Sequence, residues 1–129
     1  MAFKVLLVDD DQNIAECLEC ILGCSGLDVE FTHVSDGQAC LDELRKGFEG
    51  CILMDVMMPG LNGWQTLEMI VDQNLCDNAM ISMFTSVADP PPESDRLASY
   101  VFNYVRKPTS TTRILEVVNE AISMLRPAC

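Results

Sequence analysis

The sequence predicts an α/β fold: five strand–helix units wound about a parallel sheet, a (βα)5 chain. Three observations predict it. Short apolar runs alternate five times with segments of helical period. The intervening helical segments, roughly 10–15 residues each, have the length of right-handed crossovers between parallel strands. Four of the runs end in polar groups. Lys4-Val5-Leu6-Leu7-Val8 leads into Asp9-Asp10-Asp11, and Cys51-Ile52-Leu53-Met54 into Asp55. Met80-Ile81-Ser82-Met83-Phe84 leads into Thr85-Ser86, and Tyr104-Val105-Arg106 into Lys107-Pro108. Parallel sheets carry ligand sites at the carboxyl ends of their strands. If these runs are neighbouring strands, the acids, the hydroxyl and the ammonium converge.

Residues 3–8 read as a buried strand. Residues 13–23 read as a helix with Ile14, Leu18, Ile21 and Leu22 on one face, ended by Gly23 and Ser25-Gly26. Residues 28–33 alternate as a weaker strand, with His33 at its solvent-facing end. Ser35-Asp36-Gly37 starts a second helix marked by Leu41, Leu44 and Phe48, and Gly47 and Gly50 bracket its end. Residues 51–54 form the third strand, and Pro59-Gly60-Leu61-Asn62-Gly63 a loop rich in turn residues. Residues 64–73 carry Leu67, Ile70 and Val71 at helical spacing, and residues 79–84 form the fourth strand. After Asp89-Pro90-Pro91-Pro92, with Pro92 suited to a first turn, a short helix is expected over about 93–99. Residues 101–105 form the fifth strand. Thr109-Ser110-Thr111-Thr112 offers N-caps for a last helix striped by Ile114, Val118, Ala121, Ile122 and Leu125.

The 129 residues have the length of one ordinary domain and suffice to bury a core. No apolar run approaches the roughly 20 residues that span a bilayer. The N-terminus lacks the pattern of a secretory leader, so a cytoplasmic location is the expectation. A net charge of −12 argues against nucleic-acid binding and leaves a cation as a local partner. Seven cysteines are many, and the number is odd. Most fall within apolar patterns, where Cys behaves as a small hydrophobe. Cys17, Cys20 and Cys24 recur on one helical face, but His33 is the only histidine and lies in another element. Reduced structural thiols are therefore expected rather than a closed four-ligand metal site. Cys129, at the C-terminus, is expected to be exposed. Trp64, Met54, Met57 and Met58 read as packing residues.

Several ionised carboxylates at one point need a counter-charge. Hard oxygen ligands suit Mg2+. Lys107 brings a second positive charge from the opposite side. A carboxylate placed so can attack phosphorus and form an aspartyl phosphate, with the metal and the lysine neutralising charge on the phosphoryl oxygens. Thr85 would donate a hydroxyl to one of those oxygens, and Ser86 is small enough to leave room. Each group also has a plainer reading: Asp9 to Asp11 as helix caps, Asp55 as a strand-end turn residue, Thr85 as a loop hydroxyl, Tyr104 as a fixed core aromatic and Lys107 as a solvated lysine.

Val8-Asp9-Asp10, the block Asp55 to Gly63, Phe84-Thr85-Ser86 and Tyr104-Val105-Arg106-Lys107-Pro108 resemble the signatures of bacterial two-component response-regulator receiver domains. The resemblance covers residues 3 to about 125 and implies a single receiver domain over 1–129. It implies a flavodoxin-like, doubly wound sheet of strand order 2-1-3-4-5. It implies that Asp55 is the phosphoacceptor. Asp10 would be a direct Mg2+ ligand, Asp9 would act largely through water, and the Met57 backbone carbonyl would be a third ligand. Thr85 and Tyr104 match the switch pair, and Lys107 the salt-bridge lysine, in what would be a cis Lys107-Pro108 peptide. Asp11 is an extra acid outside the pair. The implied partners are a sensor histidine kinase or phosphotransfer protein and an unidentified downstream partner or output domain. The chain would not be an enzyme, beyond assisting its own phosphorylation and dephosphorylation. The readout would lie on the face of the fourth helix, fifth strand and fifth helix.

The sequence departs from the family pattern in carrying Tyr100-Val101 where Gly-Ala is usual, Thr109 where Phe often follows Lys-Pro, and Pro90-Pro91-Pro92 at the fourth helix. Met57 and Val87, the two positions flanking the phosphorylation site, are apolar and cannot hold an attacking water, which predicts slow self-dephosphorylation. The main alternative is a Mg2+-dependent aspartyl-phosphate hydrolase or phosphotransferase. Enzymes of the haloacid-dehalogenase type, however, place a second Asp where Met57 stands. A flavodoxin-like nucleotide binder would want a Gly-rich turn where Asp9-Asp10-Asp11 stands.

Overall fold

A computed structural model describes residues 3–75, 77–86, 95–107 and 110–125. Five strands alternate with five helices: β1 Phe3–Val8, α1 Gln12–Gly23, β2 Val29–Val34, α2 Gly37–Arg45, β3 Gly50–Asp55, α3 Gly63–Asp72, β4 Ala79–Thr85, α4 Asp95–Ala98, β5 Val101–Arg106 and α5 Thr111–Leu125. All four strand pairings are parallel, and the order is β2-β1-β3-β4-β5. The expected topology is therefore the observed one.

Successive residues of a strand face opposite sides of a sheet. Leu6, Val8, Ile52, Met54, Ile81 and Met83 pack on one side with α2 and α3. Val5, Leu7, Cys51, Leu53, Phe84 and Val105 pack on the other with α1 and α5. Burial on both faces is why β1 and β3 read as unbroken apolar runs. Truncating one such fully buried leucine to alanine costs roughly 2–5 kcal/mol. The helices start on capping side chains. Asp11 accepts from the Asn13 amide at α1, and Asp36 from the Ala39 amide at α2. Ser110 Oγ accepts from the Arg113 amide at α5. Asn62 and Gln65 form a reciprocal capping box at α3.

The structure departs from the sequence reading in several places. β2 is displaced by one residue, to Val29–Val34, and α4 is a single turn over Asp95–Ala98. Cys40 and Cys51 are buried as small hydrophobes, but Cys17, Cys20 and Cys24 are exposed. Helical period locates a face without saying which face meets the core, and Ala15, Leu18 and Leu22 take the core side of α1. Met54, Met58 and Trp64 are buried as expected, whereas Met57 is 54% exposed. Of the α5 stripe, Ile114, Val118 and Ala121 are buried together with Val117, while Ile122 and Leu125 cover the core's edge. The expectations for Val87, the Pro90–Pro92 run, the Pro108 peptide, Cys76 and Cys129 fall outside the described residues.

Candidate functional site

Parallel register brings the carboxyl ends of β1, β3 and β4 level, because Val8 pairs with Met54 and Asp55 with Phe84. The residues that follow therefore share one edge. Carboxylate oxygens of Asp9, Asp10 and Asp55 lie within 4.8 Å of one another. Asp9 is wholly buried and Asp55 nearly so, whereas Asp10 is exposed. From the end of β5, Lys107 reaches across β4. Its Nζ donates to Asp55 Oδ1 at 2.8 Å and lies 3.4 Å from Asp9 Oδ2. The first is a short, charge-assisted bond and the second a looser contact. Lys107 is anchored through its own backbone, whose amide donates to the Thr85 carbonyl at 2.7 Å.

Three carboxylates and one ammonium leave two negative charges in excess. Burial is the largest influence on Asp55 and raises its pKa above the ordinary carboxylate value, with the Asp9 charge adding to the rise. The hydrogen bond and charge of Lys107, and an N–H bond from the Met57 backbone, oppose it without cancelling it. Burial works against the Lys107 ammonium, but the bond and charge of Asp55, joined by Asp9, outweigh it and hold its pKa above the usual lysine value. Each group is thus tuned by the other, as burial and neighbouring charge dictate.

The turn after Asp55 is shaped by glycine. Gly60 adopts φ 77°, a left-handed conformation that glycine enters without penalty. At Gly63 a Cβ would collide with the Asp55 carbonyl, with Met83 Cε at 2.8 Å and with Val56 Cα at 2.9 Å. Only glycine lets α3 begin hard against the strand that carries Asp55. The Gly63 amide then donates to the Val56 carbonyl at 2.7 Å.

The expected site residues divide as follows. Asp9, Asp10, Asp55 and Lys107 come together. Asp11 does not join them: its carboxylate accepts the Asn13 amide at 2.9 Å, so the capping role falls to Asp11 alone. Asp9 Oδ1 accepts the Asp11 amide at 2.9 Å, which orients the inner acid. Thr85 is half-buried at the end of β4. Tyr104 is 46% exposed, not a fixed core aromatic, and its ring tilts 49° against Trp64 with centroids 6.3 Å apart. His33 corrects the expectation of a solvent-facing end. It is half-buried and its Nε2 lies 2.7 Å from the Asp9 carbonyl oxygen. A carbonyl only accepts, so Nε2 carries the proton. Asn62 and Gln65 also form a capping box that the loop-rich reading of 59–63 does not contain, although Asn followed three residues later by Gln is a start signal for a helix.

The family model for the response regulator receiver domain matches residues 5–119. The chain belongs to the response-regulator receiver family. A solved receiver domain of the CheY-like type from Methanospirillum hungatei JF-1 is 32% identical, with a TM-score of 0.91, covering 97% of this chain and 98% of that one. The transcriptional regulatory protein FixJ of Bradyrhizobium diazoefficiens is 29% identical over 124 residues, 96% of this chain and 58% of FixJ. The DNA-binding response regulator MtrA of Mycolicibacterium smegmatis is 31% identical over 108 residues, 84% of this chain and 45% of MtrA. The receiver spans about half the length of these two relatives. As a member of this family it is a signalling domain of two-component systems, and its acidic cluster is where a metal would sit. No helix among the described residues is long and apolar enough to cross a membrane.

Proposed function

We propose that Asp55 of this receiver accepts a phosphoryl group from a sensor histidine kinase or phosphotransfer protein, with Mg2+ held by Asp9, Asp10, Asp55 and the Met57 backbone carbonyl. The observation that carries the reading is the set of three carboxylates within 4.8 Å, bonded from the far side by Lys107. The donor set fits the ion. Mg2+ takes oxygen ligands at about 2.1 Å, so opposite ligands stand roughly 4.2 Å apart, close to the observed spread. The bound ion would offset charge on the phosphoryl oxygens.

The chain's own residues do the rest. An Asp55 oxygen attacks phosphorus, the P–O acyl-phosphate bond forms, and the bond to the donor's leaving group breaks with its electron pair. Lys107 is freed from a full carboxylate charge and follows the charge onto the phosphoryl oxygens. Thr85, anchored beside Lys107, donates its hydroxyl to the same group. The exposed Tyr104 turns inward behind it, and the α4-β5-α5 face changes its binding by a shift in population. The chain acts in the cytoplasm, assists only its own phosphorylation and dephosphorylation, and forms one receiver domain over 1–129. It hands the signal to a downstream partner or an output domain. Met57 leaves no polar group to hold an attacking water, so the acyl phosphate is long-lived.

Incubation with acetyl phosphate and Mg2+, read by intact mass, tests the proposal. One added phosphoryl group is expected, absent from Asp55→Asn and absent when the divalent ion is chelated. Repeated turnover of acetyl phosphate without a stable adduct would overturn the reading in favour of an enzyme.

A further inference from the structure

Free cysteine is among the most buried residue types, yet α1 and its C-cap carry three exposed thiols, Cys17, Cys20 and Cys24. At 3.6 residues per turn the three fall within an arc of about 60° on the side away from the sheet. Their spacing holds to the helix end, because the Cys24 amide still donates to the Cys20 carbonyl at 3.1 Å. The two buried thiols are of another kind. Burial pushes Cys51 up to about 12, and burial with the Glu43 charge does the same for Cys40, so neither is available as a thiolate.

We propose that this stripe binds a thiophilic d10 cation of the Zn2+ or Cu+ class through two thiolates at a time, with Cys20 common to both pairs. Geometry separates this from the obvious rival, a disulfide within the helix. Helix neighbours three or four apart hold their Cβ atoms about 5–6 Å apart. A disulfide needs roughly 3.5–4.5 Å, so it would unwind the turn. Two bonds of about 2.3 Å to one metal let the sulfurs stand up to about 4.6 Å apart, which the intact helix accommodates. Soft thiolates also prefer such ions over the Mg2+ suited to the carboxylate site. Cys17 and Cys24 are separated by about 10 Å along the axis, too far to share an ion. Among the described residues the one group of three or more potential ligands within 4.8 Å of one another is Asp9, Asp10 and Asp55, so the three thiols do not meet at a point.

Cadmium titration of the reduced full chain, followed by the ultraviolet thiolate-to-metal charge-transfer band, tests the assignment. Loss of chelation removes an effective concentration worth about a hundredfold or more, so Cys20→Ser should weaken binding by at least that factor. Cys17→Ser and Cys24→Ser each leave one pair intact and should weaken it less than about tenfold. Cys76→Ser/Cys129→Ser and Asp55→Asn should leave the band unchanged. Cys17, Cys20 and Cys24 are exposed, so their serine variants are surface replacements of like size, and an unchanged thermal melt verifies the fold. Wild-type affinity in Cys20→Ser, or loss of the band in Cys76→Ser/Cys129→Ser, overturns the proposal. So does equal loss in all three single variants.

Discussion

Replacing Lys107 by methionine keeps the stem's volume and removes its charge. It leaves Asp9 and Asp55 facing each other, with side chains only 1% and 7% exposed. Removing one partner of a buried pair costs roughly 3–5 kcal/mol. The ordinary carboxylate value sets an independent ceiling. Taking up one proton relieves the repulsion, and from an ordinary value of 3.8 this costs about 4.4 kcal/mol at pH 7 and about 1.6 kcal/mol at pH 5. The loss in Lys107→Met should therefore be about 3–4 kcal/mol at pH 7 and below about 1.6 kcal/mol at pH 5. The signs agree with the wild type. The raised Lys107 pKa means its contribution is full below 10.5 and is lost as pH rises through its folded value. The raised Asp55 pKa means its ionised form weakens the fold above that value and costs nothing below 3.8. Urea unfolding at the two pH values, with and without Mg2+, reads the difference, and Mg2+ should restore part of it. A loss under about 1 kcal/mol at pH 7, or one that does not change with pH, would refute the electrostatic account.

Three further outcomes follow from the same geometry. Gly63→Ala drives a methyl group into the Asp55 carbonyl and Met83, so it should lower the melting temperature and slow phosphorylation by acetyl phosphate, whereas Gly23→Ala, where a Cβ meets nothing, should not. Asp11→Ala removes the cap of α1 and should cost about 1 kcal/mol in urea unfolding while leaving the extent of phosphorylation unchanged. Met57→Asn places a hydrogen-bonding side chain on the exposed rim and should speed loss of the phosphoryl group, measured as decay of the mass adduct; a rate equal to or below wild type would sink the shielding argument.

The sheet was legible because burial on both faces writes itself as unbroken apolar runs, and strand ends put Asp9, Asp55 and Lys107 on one edge. What the sequence hides has physical reasons. His33 bonds a backbone carbonyl, and every residue has one, so no side-chain partner announces the contact. It becomes visible only through register, where Leu7 lies beside His33 and Asp9 follows. The exposure of Cys17, Cys20 and Cys24 is hidden in the sequence because their spacing is as regular as that of the true core face. Asp11 and Asp9 are chemically alike. Their separation into cap and site depends on a turn whose amide, at Asp11, points back to Asp9 Oδ1.

The bonds of Lys107 span 52 residues to Asp55 and 98 to Asp9. Contacts so remote in sequence form late, after the loops between them have closed. A chain emerging from its N-terminus has placed both acids long before the lysine that neutralises them exists. The centre is therefore assembled only when β5 has docked along β4. A truncated or half-folded chain would carry its acids without their cation, so competence to receive a phosphoryl group would itself report that the fold is finished.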